Sequence, residues 1–332
     1  MKKTVLVVGG AGYIGSQTNK LLAGRGFKTV VFDNLSTGHR ALARWGKFFK
    51  GDLARPADLA RCFKNDRISA VIHFAAYAAV EESVADPAKY YRNNVANTLN
   101  LLDAMRAAGV KKLIFSSTAA TYGEPVKNPI GETHPQAPVN TYGRTKLMCE
   151  QMMADYCAAY GMRCIALRYF NAAGADPDGE IGPLQKQETH LIPLVLDAAM
   201  GRRPCIKVFG SDYGTRDGTC LRDYVHVADL ASAHLLALRY LDKGGKSADF
   251  NLGNGLGFSV LEVIKAAGRV TGLKIPVKLS PRRPGDPAAL VASSALARKV
   301  LGWRPRHAGI ETIIRHAWAW HKKQPGSVRT CR

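Results

Sequence analysis

Short runs of consecutive apolar residues alternate with longer stretches of mixed polarity through the first half of the chain. The runs are TVLVV, TVVFD, KFFKGD, ISAVIHF, KLIFSS and RCIALRY. Continuous apolar runs are typical of parallel strands that helices cover on both faces. The stretches between them, such as residues 88–108 and 140–160, are long enough to form crossover helices. The pattern predicts an α/β fold with a doubly wound (Rossmann-type) parallel sheet.

This rhythm breaks after Asn171. The segment AAGADPDGEIGPLQKQ is rich in glycine, proline and polar residues, which indicates a loop that leaves the sheet. A helix (HLIPLVLDAAMG), an extended segment (PCIKVFG), a turn (SDYGTRDGT) and a further helix (VADLASAHLLALRYL) follow. We therefore predict one domain over residues 1–175, to which residues 221–242 return, and a second, smaller mixed α/β domain over residues 176–332.

Composition narrows the class of protein. With 332 residues, of which 46% are hydrophobic, the chain can bury a full core. Its apolar runs fall short of the roughly 20 residues that span a bilayer, and its first residues predict a buried strand, not a signal peptide. The seven cysteines are scattered, without a C-x-x-C pair. This favours reduced thiols in the cytoplasm and argues against a disulfide framework or a metal site.

The net charge of +21 is high for such a chain. It could indicate a nucleic-acid or other anionic partner, or a basic surface around a pocket for an anionic substrate. Lysine and arginine are spread along the chain, and no aromatic-interleaved RNA-binding motif is present. We therefore expect no specific nucleic-acid binding.

A glycine-rich turn, GGAGYIG, lies between the first predicted strand and the first predicted helix. Gly9, Gly12 and Gly15 follow a pattern that lets a backbone turn tightly and approach a pyrophosphate, which then faces the helix N-terminus. Such turns also occur for purely structural reasons, so the context decides. Here the turn follows a strand and opens a helix, which is the context of a dinucleotide site.

Two aspartates refine the dinucleotide prediction. Asp33 ends the next strand, eighteen residues after Gly15, where a carboxylate accepts hydrogen bonds from the adenosine ribose and repels a 2′-phosphate. Asn34, not arginine, follows it, so NAD is favoured over NADP. Asp52, after the third strand, is placed either to meet the adenine or to cap a helix.

Tyr142 and Lys146 form a Y-x-x-x-K pattern. On a helix, residues four apart share a face, so the ammonium group would lie beside the phenol. A nearby cation lowers the pKa of a tyrosine, and an oxidised nicotinamide adds a second positive charge. Y-x-x-x-K alone is common on solvated helices. Together with the glycine turn and Thr118 at the end of the preceding strand, it predicts a proton-transfer site.

Long stretches of the sequence resemble one family. The chain is similar to the extended short-chain dehydrogenases/reductases and, within them, to the 4-epimerases of UDP-hexoses. The similarity covers nearly the whole chain, in GGAGYIG, DNLSTGHR, HFAA, YYRNNV, SSTAATYG, YGRTK, RYFNAAGADPDGEIG, ETHLIPLV, DGTCLRDYVHVADLA, FNLGNG, PRRPGD and LGWRP. It implies an NAD-dependent isomerase that interconverts UDP-glucose and UDP-galactose, with tightly bound NAD in residues 1–175, the UDP-sugar mainly in residues 176–332, and a homodimer joined through residues 88–108 and 140–160.

The resemblance also implies the site residues. The catalytic residues would be Thr118, Tyr142 and Lys146. The residues that bind NAD would be Gly9, Gly12, Tyr13, Ile14, Gly15, Asp33, Asn34, Leu35, Ser36, Thr37, Gly38, Asp52, Leu53, Phe74, Ala75, Ala76, Tyr77, Ala78, Asn94, Thr118, Tyr142, Lys146 and Phe170. The residues around the UDP-sugar would be Thr118, Tyr142, Asn171, His190, Leu191, Phe209, Arg222, Arg283, Asp286 and Leu290.

Ala119 and Ala120 separate two reactions within this family. A sugar-nucleotide 4,6-dehydratase needs a further acid and base, and such relatives carry acidic residues directly after the serine or threonine. An epimerase needs neither, and the two alanines favour it. The alternatives that remain are an epimerase of UDP-N-acetylhexosamines or UDP-pentoses, a dehydratase or reductase, and a non-catalytic NAD-bound module.

Departures from the family pattern are local. They are Gln17, Glu81, His190 and Ser293. Leu290 occupies the position beside sugar carbon 2, where a tyrosine excludes an N-acetyl group and a very small residue admits it. We expect Leu290 to permit weak turnover of N-acetylated sugars.

Overall fold

A seven-stranded parallel sheet forms the centre of the molecule, for which a computed structural model describes residues 3–184, 188–283 and 286–324. Its strands are β1 (Thr4–Val8), β2 (Lys28–Asp33), β3 (Lys47–Lys50), β4 (Ile68–His73), β5 (Lys112–Thr118), β6 (Arg163–Tyr169) and β11 (Ala248–Leu252). Across the sheet the order is β11-β6-β5-β4-β1-β2-β3. The strand order reverses beside β1 and β4, which is where ligands bind in such sheets.

Helices cover both faces of this sheet. Those packed around it are α1 (Tyr13–Gly24), α2 (Pro56–Asn65), α3 (Val80–Ala85), α4 (Pro87–Tyr90), α5 (Asn97–Ala107), α6 (Thr141–Tyr160), α8 (Val227–Asp242) and α10 (Ala295–Leu301). Val5 and Val7 of β1 point into a core shared with α1 and α8, whereas Leu6 and Val8 point into one shared with α2, α5 and α6. Two buried faces explain why these strands read as continuous apolar runs.

A second group of elements surrounds a separate core after β6. Its strands are β7 (Asn171–Ala173), β8 (Ile206–Phe209), β9 (Leu221–Arg222), β10 (Tyr224–His226), β12 (Phe258–Ser259), β13 (Val277–Ser280) and β14 (Ala289–Leu290). Its helices are α7 (Leu191–Ala199), α9 (Val260–Thr271) and α11 (Ile310–His321). The strands form three small sheets, β10-β7, β12-β9-β14 and β13-β8. The core of this group includes Val195, Val263 and Ile313.

The predicted fold class is confirmed, and the six predicted strands are present. Two details differ from the sequence prediction. Strand β11 was not predicted, although it pairs in parallel with β6, Ala248 opposite Ile165. The stretch 88–108 is not one uniform helix, because a π-helical turn at Tyr91–Ala96 separates α4 from α5. The division into two domains stays a prediction.

Two predictions from the sequence concern membrane-spanning helices and cysteine pairing. Across the described ranges, no helix has both the length and the apolarity to cross a membrane. Six cysteines are present as free thiols, and Cys331 lies outside the described residues.

Candidate active site

The turn between β1 and α1 leaves a helix N-terminus free to meet an anion. Glycine is required at Gly15, because a Cβ there would lie 2.3 Å from the carbonyl oxygen of Gly9. Helix α1 begins after Gly12, which has no side chain to cap the first amides, and no acidic residue stands in the first turn. These N–H groups are therefore available donors beside the positive end of the helix dipole.

Asp33 fixes the opposite side of this turn. Its Oδ2 accepts a hydrogen bond from Ala11 N at 3.0 Å and its Oδ1 accepts one from Leu35 N at 2.8 Å. Burial raises the pKa of Asp33, and the two backbone donors offset only part of that rise. Asp52 lies nearby and accepts hydrogen bonds from Asn34 Nδ2 at 3.2 Å and Ala54 N at 2.8 Å. It thus caps a turn while it faces the cleft.

A cleft with a cavity volume of about 210 Å³, open to solvent, runs along the carboxyl ends of these strands. The predicted cofactor residues that line it are Gly9, Gly12, Tyr13, Ile14, Gly15, Asp33, Asn34, Ser36, Thr37, Gly38, Asp52, Leu53, Phe74, Ala75, Ala76 and Tyr77. Predicted residues outside this lining are Leu35, Ala78, Asn94, Thr118, Tyr142, Lys146 and Phe170. Asn94 nevertheless adjoins it, because Asn94 Oδ1 accepts a hydrogen bond from Tyr77 N at 2.9 Å.

The sequence prediction missed several residues of the cleft. They are Val8, Phe32, Gly51, Asn93, Asn97, Ser116 and Tyr169. Ser116 and Tyr169 stand near the ends of β5 and β6, and carboxyl ends of parallel strands share one edge. That rule could have indicated both residues.

Thr118, Tyr142 and Lys146 converge at the end of β5. The Thr118 side chain lies close enough to the Tyr142 hydroxyl to lower the pKa of Tyr142. Lys146 Nζ donates to the carbonyl oxygen of Ser116 at 2.8 Å and lies 4.6 Å from the centre of the Phe115 ring. Since Ser116 lines the cleft, Lys146 lies directly behind the cleft wall.

The ionisation of these groups differs from the sequence expectation. Burial raises the pKa of Tyr142 to about 12, and the Thr118 side chain lowers it only in part. The expected lowering by Lys146 is absent, because burial of the phenol itself dominates the pKa of Tyr142. Burial lowers the pKa of Lys146 to about 8, against the opposing effects of Cys149 and Glu150.

Two local features set the position of α6. The Asn140 side chain caps the helix by accepting a hydrogen bond from Gly143 N at 2.8 Å. A Cβ at Gly143 would lie 2.4 Å from the carbonyl oxygen of Ala120, so only glycine permits this approach of α6 to the segment after Thr118. In the sequence YGRTK, Gly143 is therefore required for packing, whereas Tyr142 and Lys146 are the predicted catalytic residues.

Arg222 and Asp286 form the centre of the predicted substrate region. The Arg222 guanidinium is paired with the Asp286 carboxylate and also donates to the carbonyl oxygens of Leu221 at 2.7 Å and Pro287 at 3.0 Å. Leu290 lies opposite Arg222 in the β14–β9 pair. The structure thus brings three of the predicted substrate residues together.

Leu290 connects this region to the catalytic segment. It packs against the apolar cluster of Ala119, Tyr122 and Ile130, as does Phe170. Two residues that the resemblance assigns to different ligands therefore lie in one cluster beside Ala119.

The other predicted substrate residues lie on neighbouring elements. The Arg283 guanidinium lies 4.0 Å from the centre of the Phe209 ring. His190 is the N-cap residue of α7 ahead of Leu191, and its Nδ1 lies 2.7 Å from Glu188 Oε1. Burial lowers the pKa of His190, but the Glu188 carboxylate outweighs it and the net pKa is raised.

Asn171 begins β7, where its N–H donates to the carbonyl oxygen of Asp223 at 3.0 Å. This pairs β7 with the segment that carries Arg222.

One group of carboxylates has the spacing of a metal site. Asp176, Asp178 and Glu180 present oxygens within 4.8 Å of one another. Lys20 Nζ lies 2.7, 2.6 and 2.7 Å from one oxygen of each. The ammonium group therefore offsets part of the negative charge of these three carboxylates.

These features define a dinucleotide-dependent enzyme of the doubly wound α/β class. The uncapped N-terminus of α1 and the buried carboxylate of Asp33 suit the pyrophosphate and the adenosine ribose of NAD. Residues 5–253 match the NAD dependent epimerase/dehydratase family, and the chain belongs to that family.

Individual relatives are similar over nearly their full length. The chain is 51% identical to the UDP-glucose 4-epimerase of Lacticaseibacillus casei, over 97% of this chain and 98% of that protein. The structure of UDP-glucose 4-epimerase from Brucella ovis in complex with NAD is 54% identical, covers 95% of this chain and 97% of its own, and superposes with a TM-score of 0.94. The UDP-Glc/GlcNAc 4-epimerase of Campylobacter jejuni is 43% identical, with a TM-score of 0.86 over 97% and 100% of the two chains.

Proposed function

We propose that this protein is an NAD-dependent isomerase that interconverts UDP-glucose and UDP-galactose. The placement of Tyr142 beside Thr118, together with the hydrogen bond from Lys146 to the cleft residue Ser116, carries the proposal. The similarity to UDP-glucose 4-epimerases over 97% of the chain supports it.

NAD bound in the cleft supplies the acceptor and donor of hydride at sugar carbon 4. Tyr142 removes the proton from the O4 hydroxyl as that carbon is oxidised and returns it when the carbon is reduced. Thr118 hydrogen-bonds the same oxygen and holds the ketone. Lys146 would hold the nicotinamide ribose and would contribute positive charge near the phenol. Burial holds the pKa of Tyr142 above its usual value, and the positive charge of an oxidised nicotinamide nearby would lower it.

Inversion requires the 4-ketopyranose to present its opposite face to the same cofactor. Arg222 and Arg283 suit a diphosphate, since a guanidinium forms charge-assisted, planar hydrogen bonds. Anchoring through the UDP moiety leaves the hexose free to rotate. Asn171, His190, Leu191, Phe209 and Asp286 complete the proposed UDP-sugar site.

Ala119 and Ala120 oppose dehydration. Ala119 is buried in the apolar cluster with Tyr122 and Ile130, so this position presents no acid to sugar carbons 5 and 6. A dehydratase needs such a group to eliminate water. The retained Tyr142–Thr118 pair likewise argues against a non-catalytic NAD-bound module.

A second substrate pair has a specific observation in its favour. The related enzyme of Campylobacter jejuni is a UDP-Glc/GlcNAc 4-epimerase, and Leu290 is smaller than the tyrosine that would exclude an N-acetyl group. We propose UDP-N-acetylhexosamines as weak secondary substrates.

The direct test is to incubate the purified protein with UDP-galactose, without added NAD, and to analyse the sugar nucleotides chromatographically. The expected product is UDP-glucose. A 4-keto-6-deoxy sugar nucleotide would identify a dehydratase, and unchanged UDP-galactose would contradict the proposed activity.

Three further properties belong to this proposal. NAD is retained tightly, because the reaction regenerates it in every cycle. Denaturing the protein and assaying the supernatant for dinucleotide tests this.

The protein forms a homodimer through residues 88–108 and 140–160, where Leu99 and Met148 are exposed. Light scattering should give twice the chain mass. A cytoplasmic location, with reduced thiols, stays a prediction.

A further inference from the structure

A buried ionic network lies directly behind the catalytic side chains. Its centre is Glu150 on α6, which faces Arg168 on β6. Arg168 donates through Nε at 3.0 Å and through a terminal nitrogen at 2.6 Å. Both residues are almost fully buried, with 8% and 3% of their surface exposed.

Glu150 also binds the strand that carries Thr118. Its Oε1 accepts a hydrogen bond from Ser117 Oγ at 2.5 Å, and its Oε2 accepts one from Gln136 Nε2 at 3.1 Å. Glu150 stands one helical turn after Lys146 and two after Tyr142. A single carboxylate therefore joins the helix of Tyr142 and Lys146 to the residue next to Thr118.

Arg168 extends the network to the other side of the same segment. It donates to the Tyr122 hydroxyl at 3.1 Å and to Asp249 Oδ2 at 2.6 Å. The Tyr122 hydroxyl in turn donates to Asn251 Oδ1 at 2.8 Å. The backbone from Ser117 to Tyr122 is thus held at both ends by side chains that meet at Arg168.

Stability alone does not account for such a network. Burying an ion pair costs desolvation energy, and well-packed apolar residues usually stabilise a core as well or better. Fully satisfied buried networks instead fix one geometry. Catalysis by Tyr142 and Thr118 depends on that geometry, since small misplacements of reacting groups are costly.

We propose that Ser117 and Glu150 are positioning residues, which set the distance between Thr118 on β5 and Tyr142 on α6. They act through these side chains and do not touch substrate or cofactor. The inference rests on the proposed function, because it assumes that Tyr142 and Thr118 act together on the sugar.

Ser117→Ala tests the link with the least disturbance, because it removes one hydroxyl and leaves the Glu150–Arg168 pair intact. We expect kcat to fall about tenfold with little change in KM. Ser232→Ala is the matched control: Ser232 Oγ donates to Asp229 O at 2.7 Å, on a helix remote from Tyr142. The control should lose similar thermal stability and keep its kcat.

Glu150→Gln separates charge from position. The titratable groups that act on or respond to Lys146 are Glu150, Cys149 and His73, and Glu150 raises the pKa of Lys146. Removing that charge should move the loss of activity at alkaline pH to lower pH, because the ammonium deprotonates earlier. Ser117→Ala keeps the carboxylate and should leave the pH profile in place while it lowers kcat.

The measurement is the steady-state kcat and KM of each protein with UDP-galactose, followed by product analysis. If the wild type yields another product, the proposed function is wrong. The ratio of the Ser117→Ala rate to the wild-type rate still tests the positioning role in that case. Equal rates for those two proteins, or an equal loss in Ser232→Ala, would overturn the positioning role.

Discussion

The two ends of the candidate site offer different groups to a diphosphate. The cofactor end offers backbone amides, and the substrate end offers arginine side chains. At the cofactor end, the turn before α1 offers uncapped backbone amides, and no cation stands in the first turn of α1. At the substrate end, Arg222 is paired with Asp286 and Arg283 stacks on Phe209. Backbone amides bind through fixed geometry, whereas guanidinium groups bind through charge that salt screens. We therefore expect NAD to be retained in conditions that release the UDP-sugar.

Tyr142→Phe should have the largest effect and should leave both diphosphate sites unchanged. We expect kcat to fall by about 10²–10⁴-fold, because the phenol transfers the O4 proton. Bound NAD and UDP affinity, measured by dinucleotide release and calorimetry, should stay near wild type. Tyr156→Phe, on the same helix, is the control and should keep full activity. Substantial activity in Tyr142→Phe would remove the acid–base assignment.

Gly15→Ala should disable the cofactor end alone. The added Cβ would lie 2.3 Å from Gly9 O, so the turn must shift, at a cost of about 1–3 kcal/mol in the free energy of unfolding. The purified protein should contain little NAD and regain activity with added NAD. Gly24→Ala, in the same helix, has nothing within 4 Å of its Cβ and should retain NAD. Equal NAD content in Gly15→Ala and Gly24→Ala would mean that the turn does not bind the pyrophosphate.

Arg222→Gln should disable the substrate end alone. We expect KM for UDP-galactose to rise about 10–100-fold, which corresponds to about 1.4–2.8 kcal/mol, because one charged contact to the diphosphate is lost. NAD content should not change. Arg216→Gln removes an exposed arginine of the Arg216–Glu262 pair and serves as control. If both variants raise KM equally, Arg222 contributes only general positive charge.

Asp33→Asn should alter cofactor choice and spare the substrate end. The amide oxygen can accept from only one of the two backbone donors, Ala11 N and Leu35 N, and the uncharged side chain no longer repels a 2′-phosphate. We expect the preference for NAD over NADP to fall about tenfold or more, because like charges in contact cost several kcal/mol. Reconstitution of the cofactor-free protein with each dinucleotide measures this. Unchanged discrimination would exclude Asp33 as its source.

Leu290→Tyr should have the smallest effect on the main reaction. An apolar wall distinguishes substrates by about 1–3 kcal/mol. We expect the variant to lose turnover of UDP-N-acetylglucosamine and to keep that of UDP-glucose. The measurement is kcat/KM for both substrates in both proteins. Equal use of the two substrates by the wild type would contradict the role of Leu290.

The cofactor end was predictable from sequence because its signals are local. Gly9, Gly12 and Gly15 lie in one turn, and Asp33 ends the next strand. Two of the missed residues, Ser116 and Tyr169, belong to two strands that the sheet brings together. Strand β11 was missed for the same reason, because β6, its partner among the described residues, lies about eighty residues earlier in the chain.

The pKa of Tyr142 was not predictable from spacing. The i, i+4 rule places Lys146 on the same face of α6, but it says nothing of burial. Lys146 Nζ donates to Ser116 O, and desolvation sets the direction of both pKa shifts. The spacing in the sequence predicted the pair of Tyr142 and Lys146, whereas the directions of their pKa shifts follow from their burial in the structure.

Gly143 constrains how this enzyme could change over evolutionary time. Because α6 lies against the Ala120 carbonyl and Ala119 is buried, an acidic side chain at position 119 would enter the apolar cluster with Phe170 and Leu290. An ancestor or descendant that dehydrates sugars would need additional substitutions, which move α6 away from Ala120 or make room in that cluster. Single substitutions on this background should therefore yield inactive proteins before they yield a new reaction, which separates the two activities by more than one mutation.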